Sequence, residues 1–269
     1  MSRFEILCVT MHQTDFSKIK QMNIHSDIVF ANQCDRTSYE EFDFDGHKAK
    51  MISTQTRGVG INRNLTLSYA SGDICLFADD DVEYVDDMEQ IVIEEFERES
   101  KADIIIFNLD TDSEIRKQKH YDKAKKWHRI EPMPWGAVRV AFRLTSIRKA
   151  NLWFTLLFGG GAIFPSGEDS DWLNHAKKKC SIFLSNRTIG MVKMGTSSWF
   201  SGYDEKFYYG KGAFLEHSNY LFFFLRAFYL AFKTGRKSKL SFKDRMKWMK
   251  NGKIGYHRMI DYEKFKEIG

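Results

Sequence analysis

Three consecutive carboxylates, Asp79, Asp80 and Asp81, follow directly on the apolar run Ile74-Cys75-Leu76-Phe77-Ala78. Like charges side by side repel, by about 1 kcal/mol per pair at 4 Å even in water. Two arrangements tolerate them. A sharp turn can hold the acids in solvent, with one of them capping the next helix. Alternatively, a divalent cation such as Mg²⁺ or Mn²⁺ draws them together, taking one or two carboxylates alongside phosphate oxygens and water. Two Asp at i and i+2 after a strand can share one metal or reach a ribose together.

A second acid pair lies in "GGGAIFPSGEDSDWL", residues 159–173. Three glycines let a backbone approach a ligand closely, and Glu168-Asp169 opens a helix. Acids in a first turn are stabilised by the helix dipole, which is sufficient reason for them to be there. The chemical alternative makes one of them a general base within reach of an acceptor hydroxyl. Between the two acid groups, "RGVGINRNL" (57–65) turns on Gly58 and Gly60 and sets Arg63 and Asn64 early on a helix. A helix N-terminus of this kind can face a phosphate, or Arg63 can simply be a surface residue.

The elements that must position these residues alternate. Apolar runs at 4–10, 26–32, 48–54, 73–78 and 102–109 read as strands. Helices are expected at about 15–22, 60–71 and 85–100, the last with Met88, Ile91, Val92 and Phe96 on one face. Strands alternating with helices imply a mostly parallel sheet joined by right-handed crossovers. Runs as uniformly apolar as "DICLFA" and "DIIIF" require cover on both faces. Ligands of such sheets bind beyond the carboxyl ends of the strands, where the triple Asp falls, and that placement favours the cation over the turn. After residue 110 the polar stretch "DSEIRKQKHYDKAKKWHR" reads as a loop or surface helix. A short strand, the glycine cluster and a helix from Glu168 or Asp169 to Lys179 follow.

Composition limits the function classes. With 43% apolar and 29% charged residues in 269, the chain is globular rather than disordered. Cys8, Cys34, Cys75 and Cys180 show no CxxC or zinc spacing, so no disulfide framework or zinc site is expected. The N-terminal "MSRFEILCVTMH" enters a strand without a signal-peptide apolar core, so a cytoplasmic location is expected. Net charge is +5, unevenly spread: residues 226–269 hold 13 Lys/Arg against 4 Asp/Glu, and the preceding 225 hold 28 against 32. A basic tail on an acidic body suits an anionic partner.

Together these pieces resemble glycosyltransferase family 2 enzymes of the GT-A fold, in particular bacterial enzymes that build capsule or O-antigen chains. The likeness rests on "ILCVTMH" (6–12), "NQCD" (32–35), "GVGINRNLTLSYASGDICLFADDDV" (58–82) and "GEDSDWL" (167–173). It implies an α/β GT-A-type, Rossmann-like catalytic domain over residues 1–215, with a helical basic region at 216–269. It also implies a metal-dependent inverting transfer from a UDP-sugar to a hydroxyl of a glycan acceptor, lipid-linked, with Mn²⁺ or Mg²⁺ as cofactor. Thr10 and Asp35 would border the base, Arg63 the nucleotide, and Asp79 the ribose or metal. Asp81 would hold the metal, and Asp80 could share a role beside it. Asp169 would be the base, with Glu168 next to it, and the glycines would shape the acceptor pocket. His217 is the candidate for a late metal-ligating His, with a plain surface His as the alternative. The sequence departs from the family at "NQCD", where a more acidic loop is usual, and in having three adjacent Asp.

The tail "NYLFFFLRAFYLAFKTGRKSKLSFKDRMKWMKNGK" interleaves aromatics with Lys and Arg. Its apolar part, about 14 residues interrupted by Arg226, is shorter than the roughly 20 a spanning helix needs. Either it lies on an anionic membrane surface, placing the enzyme at the inner face of the cell membrane, or it packs on the body with its basic face in water. No nucleic-acid-binding module is recognisable. Two other functions compete. A sugar-nucleotide nucleotidyltransferase would carry a Gly-rich basic loop after the first strand, where "VTMHQTD" stands. A non-catalytic membrane-associated scaffold would not need Asp81 and Asp169.

Overall fold

The apolar strand preceding the triple Asp is buried on both sides because its two faces serve two separate cores. In the computed structural model, which describes residues 2–112, 120–128, 136–193, 202–218 and 222–268, this strand (Ile74–Asp79) is β5. Ile74, Leu76 and Ala78 point to one core, Cys75 and Phe77 to the other. Period-2 alternation within an all-apolar run is what a doubly covered strand requires.

Among the described residues the sheet has ten strands: β1 Phe4–Met11, β2 Asp27–Gln33, β3 Ser38–Phe44, β4 His47–Thr54, β5, β6 Val82–Tyr84, β7 Ile104–Thr111, β8 Lys125–Lys126, β9 Val140–Arg143 and β10 Ile182–Val192. Their order is β3-β4-β2-β1-β5-β9-β7-β10-β6, with β8 paired to β10. Six strands (β1, β2, β4, β5, β7 and β10) run one way, and β3, β6, β8 and β9 run against them. The register sets β1 beside β5 with Val9 opposite Asp79, so Thr10 and the acid cluster emerge at one edge.

The helices are α1 Lys18–Gln21, α2 Val59–Tyr69, α3 Met88–Arg98, α4 Leu144–Lys149, α5 Glu168–Lys179, α6 Glu205–His217, α7 Phe223–Lys233, α8 Phe242–Arg258 and α9 Tyr262–Ile268. Helix α3 buries Met88, Ile91, Val92 and Phe96 as its spacing predicts, on the face that also receives Ile19. Leu67, Ile147, Trp172 and Leu173 cover the other face, where Phe77, Phe154 and Trp172 meet edge-on or stacked.

Several elements differ from the sequence reading. The hairpin β3–β4 turns at Asp45-Gly46, both at positive φ, and the alternating "SYEEFDF" forms its outer strand. Charge on that edge blunts strand addition. Strand β9 inserts antiparallel between β5 and β7, and β10 is long and bulged beside β7. The helix expected at about 15–22 is only the single turn α1. Of the polar stretch after residue 110, 113–119 and 129 lie outside the described residues, and Lys125–Lys126 is a strand.

The contacts divide the chain into two compact units. One comprises Met1–Arg57, Ile61–Phe154 and Trp172–Gly195; the other comprises Gly58–Gly60, Thr155–Asp171 and Thr196–Gly269. Residue 215 lies inside α6, and α6 groups with residues 155–171 and the C-terminal helices. In this second unit α6 and α8 approach closely. A Cβ on Gly212 would sit 2.0 Å from the Met249 carbonyl oxygen, and one on Gly252 would sit 1.9 Å from that of Tyr209. Of the apolar run at 218–233, residues 219–221 lie outside the described residues.

Candidate active site

In the first unit, Asp79 closes β5 and Asp80-Asp81 form the turn into β6. The turn is held by the Lys193 N–H, which donates to the Asp81 carbonyl at 2.8 Å, and by the Lys18 ammonium, which donates to the Asp80 carbonyl at 3.1 Å. The three carboxylates then diverge in what they meet. Asp79 accepts a hydrogen bond from the Arg63 guanidinium at 3.0 Å. Asp80 accepts one from the Thr10 hydroxyl and forms an ion pair with Lys18 at 3.7 Å. Among the described residues no ion pair engages the Asp81 carboxylate.

That asymmetry has an electrostatic consequence. The protein around the Asp81 carboxyl strips water from it, and the charges of Asp79 and Asp80 add to the effect, so its pKa is pushed up to about 6. An acid held against its own charge is what a cation would relieve. Among the described residues no group of three or more His, Cys, Asp or Glu is placed to hold a metal ion by itself. The carboxylate oxygens that Asp79 and Asp81 offer are hard donors. Mg²⁺ and Mn²⁺ suit such a set.

Arg63 is positioned by the second turn of α2. Its side chain is 4% exposed, and its guanidinium carbon lies 5.3 Å from the centroid of Phe154. Asn64 fixes the same segment by exchanging two hydrogen bonds with the Phe154 backbone, at 2.8 and 2.9 Å. The glycine-turn motif thus delivers a buried cation to the acid cluster. Asp35, 84% exposed, pairs with Arg57.

The sequence reading missed Asn32 as an organiser. It is fully buried at the end of β2. Its amide accepts from the Gln13 N–H at 3.0 Å, donates to the Gln13 carbonyl at 2.9 Å and to the Ser53 hydroxyl at 3.0 Å. Arg36 donates to the same Gln13 carbonyl. A buried Asn clamping a loop backbone fixes the segment that follows Thr10. A polar residue ending an apolar strand was the available signal.

In the second unit, Glu168 and Asp169 begin α5 as expected. Gly159 has φ +110°, and a Cβ there would lie 2.5 Å from Val59 Cγ1 and 2.9 Å from the Glu168 carboxyl carbon. Only glycine fits. The Lys211 ammonium donates to the Ser166 hydroxyl at 3.3 Å; burial lowers its pKa and the nearby Glu168 charge raises it. His217 ends α6 with both ring nitrogens engaged, Nε2 with Asp171 at 3.0 Å and Nδ1 with the Tyr256 hydroxyl at 3.1 Å. It also lies against Phe158, with ring centroids 4.9 Å apart. As a metal ligand it would have to give up one of these partners. His175 is exposed on α5.

Residues 26–158 match the model of glycosyl transferase family 2. Over this stretch, just under half of the chain, the sequence is similar to family 2 glycosyltransferases. The match includes Asp35, Arg63 and Asp79–Asp81; Thr10, Glu168, Asp169 and His217 lie outside it. No curated protein matches the sequence. The fold of the chain is similar to that of S. aureus TarS 1–349 in complex with UDP-GlcNAc. The TM-score is 0.58 at 13% identity, over 96% of this chain and 73% of that one. The complex of the same protein with UDP gives 0.58 at 13% identity, over 80% and 64%. A longer S. aureus TarS chain gives 0.55 at 13% identity, over 97% and 44%, so this chain spans less than half of it. The chain therefore has the GT-A fold. No helix among the described residues is long and apolar enough to cross a membrane.

Proposed function

We propose that the protein is an inverting glycosyltransferase that moves a sugar from a UDP-sugar to a hydroxyl of a lipid-linked glycan acceptor in bacterial surface-polysaccharide synthesis. The observation that carries the proposal is the Asp79–Asp81 cluster at the ligand-binding edge of a GT-A sheet, with one carboxylate destabilised and without an ion pair among the described residues. Support for the UDP-sugar comes from the fold likeness to a protein solved with UDP-GlcNAc and with UDP.

In this reading Asp81 and Asp79 would hold a divalent cation. Mg²⁺ or Mn²⁺ bound there would supply positive charge against the leaving group. Arg63 orients Asp79 through their 3.0 Å ion pair and lies close to the nucleotide. Thr10 fixes Asp80, so the turn presents Asp81 outward, and Asp35 borders the base at the end of β2. Asp169 takes the proton from the acceptor hydroxyl as that oxygen bonds to the anomeric carbon. The bond from that carbon to the diphosphate oxygen breaks with its electron pair on UDP. One inversion results, and one base suffices, contributing about 10²–10⁴-fold.

The test is donor turnover by purified protein against a panel of UDP-, GDP- and dTDP-sugars, with Mn²⁺, with Mg²⁺ and with chelator. Metal-dependent UDP release from one or a few donors supports the reading. Absence of both turnover and donor binding across the panel overturns it and favours a scaffold.

A further inference from the structure

Helix α7 is inside out. Amphipathic helices on a protein body bury their large apolar residues and expose the polar ones. Helix α7 buries Phe223, Ala227 and Ala231. It exposes Phe224, Leu225, Phe228, Tyr229 and Phe232, the last at 74%. At helical spacing these five residues span nearly half the circumference, and Arg226 and Lys233 flank the band on one side. Phe242 extends it, since its ring meets Phe228 at 5.1 Å between centroids. A contiguous apolar face of this size marks an interaction surface.

The charge around the face points to its partner. From residue 226 to 243 the chain has six Lys/Arg and no Asp or Glu. Arg236, Lys237 and Lys239 are exposed just after α7, and Lys243 is exposed beside Phe242. The Lys233 ammonium lies 5.7 Å from the Tyr229 ring centroid, a cation held at the edge of the aromatic face. An apolar aromatic stripe rimmed mainly by cations is complementary to a bilayer with anionic headgroups. At 11 residues α7 is about 16 Å long, half the thickness of a hydrocarbon core, so it can only lie in the interface.

We infer that α7, with Phe242 and the basic segment between them, is a docking face for an anionic phospholipid bilayer. Phe224, Phe228 and Phe232 enter the acyl boundary, and Lys233, Arg236, Lys239 and Lys243 meet the phosphates. All of these residues belong to the second unit. The inference stands whether or not the chain transfers sugar. Of the two placements the sequence allows for the tail, it selects the membrane surface, because the face turned to solvent is aromatic.

The test is flotation of the full chain with vesicles of equal parts phosphatidylglycerol and phosphatidylcholine, against pure phosphatidylcholine, in 50 and 500 mM salt. Binding to the anionic vesicles that weakens with salt is expected. Lys233→Glu should lower it about fivefold or more, and Phe228→Asp/Phe232→Asp at least about tenfold. Both variants should melt as the wild type does, since the changed side chains are solvent-exposed. Phe232→Trp supplies a second readout: its emission should shift to the blue with anionic vesicles only. Failure of the wild type to float, or equal flotation of the Asp variant, overturns the inference. So does light scattering that shows a dimer split by Phe228→Asp/Phe232→Asp, which would give the face to a second copy of the chain.

Discussion

The Arg63 guanidinium lies 3.0 Å from the Asp79 carboxylate, the one almost entirely buried and the other 38% exposed. The pair joins the early turns of α2 to the end of β5 and leaves one Asp79 oxygen for other ligands. Arg63→Met should cost about 1–3 kcal/mol in stability, because Asp79 loses its counter-charge beside Asp81. Arg63→Lys should fold but bind donor about tenfold more weakly, since an ammonium cannot reproduce the planar fork. Chemical denaturation and donor titration check the two effects separately.

Asp81 gives a stability test with the opposite sign. Its carboxylate repels Asp79 and Asp80, and among the described residues it has no ion pair. Asp81→Asn should raise the melting temperature in chelator while abolishing metal-dependent donor binding. A lower melting temperature would mean that the repulsion is already relieved within the protein.

Asp169→Asn should leave donor affinity within about twofold and lower transfer by about 10²–10⁴-fold. The comparison needs kcat and donor KM measured together. Transfer retained at the wild-type rate would move the base to another residue.

Gly159 and Gly160 make a paired test of the glycine cluster. Gly159→Ala places a methyl group against Val59 and Glu168 at positive φ and should cost about 1–3 kcal/mol. A Cβ on Gly160 meets nothing within 4 Å, so Gly160→Ala should fold with unchanged stability. Thermal melts of the two variants decide it.

Glu216 provides the pH dependence. Burial pushes its carboxyl up, but hydrogen bonds from Lys253 and His257 outweigh this and hold its pKa below the usual glutamate value. A depressed acid contributes stability above its unfolded pKa of about 4.3 and loses it as pH falls through the folded value. Glu216→Gln should therefore be about 0.5 kcal/mol less stable at pH 7 and equal to wild type once the acid is fully protonated. Denaturant midpoints across that range measure it.

The α/β alternation, the strand ends and the placement of the acid cluster were all legible because each is carried by local pattern. A six-residue apolar run ending in Asp reads as a covered strand whose end meets a ligand, and β5 has that form. The hairpin at Asp45-Gly46 carried its own signal, a "DG" turn followed by an apolar run. Strand β9 did not, because a four-residue strand between β5 and β7 is specified by the neighbours it pairs with.

The sequence by itself determined which residues are chemically competent: Asp79, Asp80, Asp81, Arg63, Glu168 and Asp169 were visible as types at telling positions. Only tertiary structure decided how the three Asp divide their work, because Thr10, Lys18 and Arg63 come from distant strands and helices: Arg63 pairs with Asp79, and Thr10 and Lys18 both engage Asp80. It likewise set His217 between Asp171 and Tyr256, and Asn32 around Gln13. The orientation of α7 belongs with these. Periodicity shows that a helix has two faces; which face turns inward depends on the room left beside α8, and there the small side chains of Ala227 and Ala231 fit.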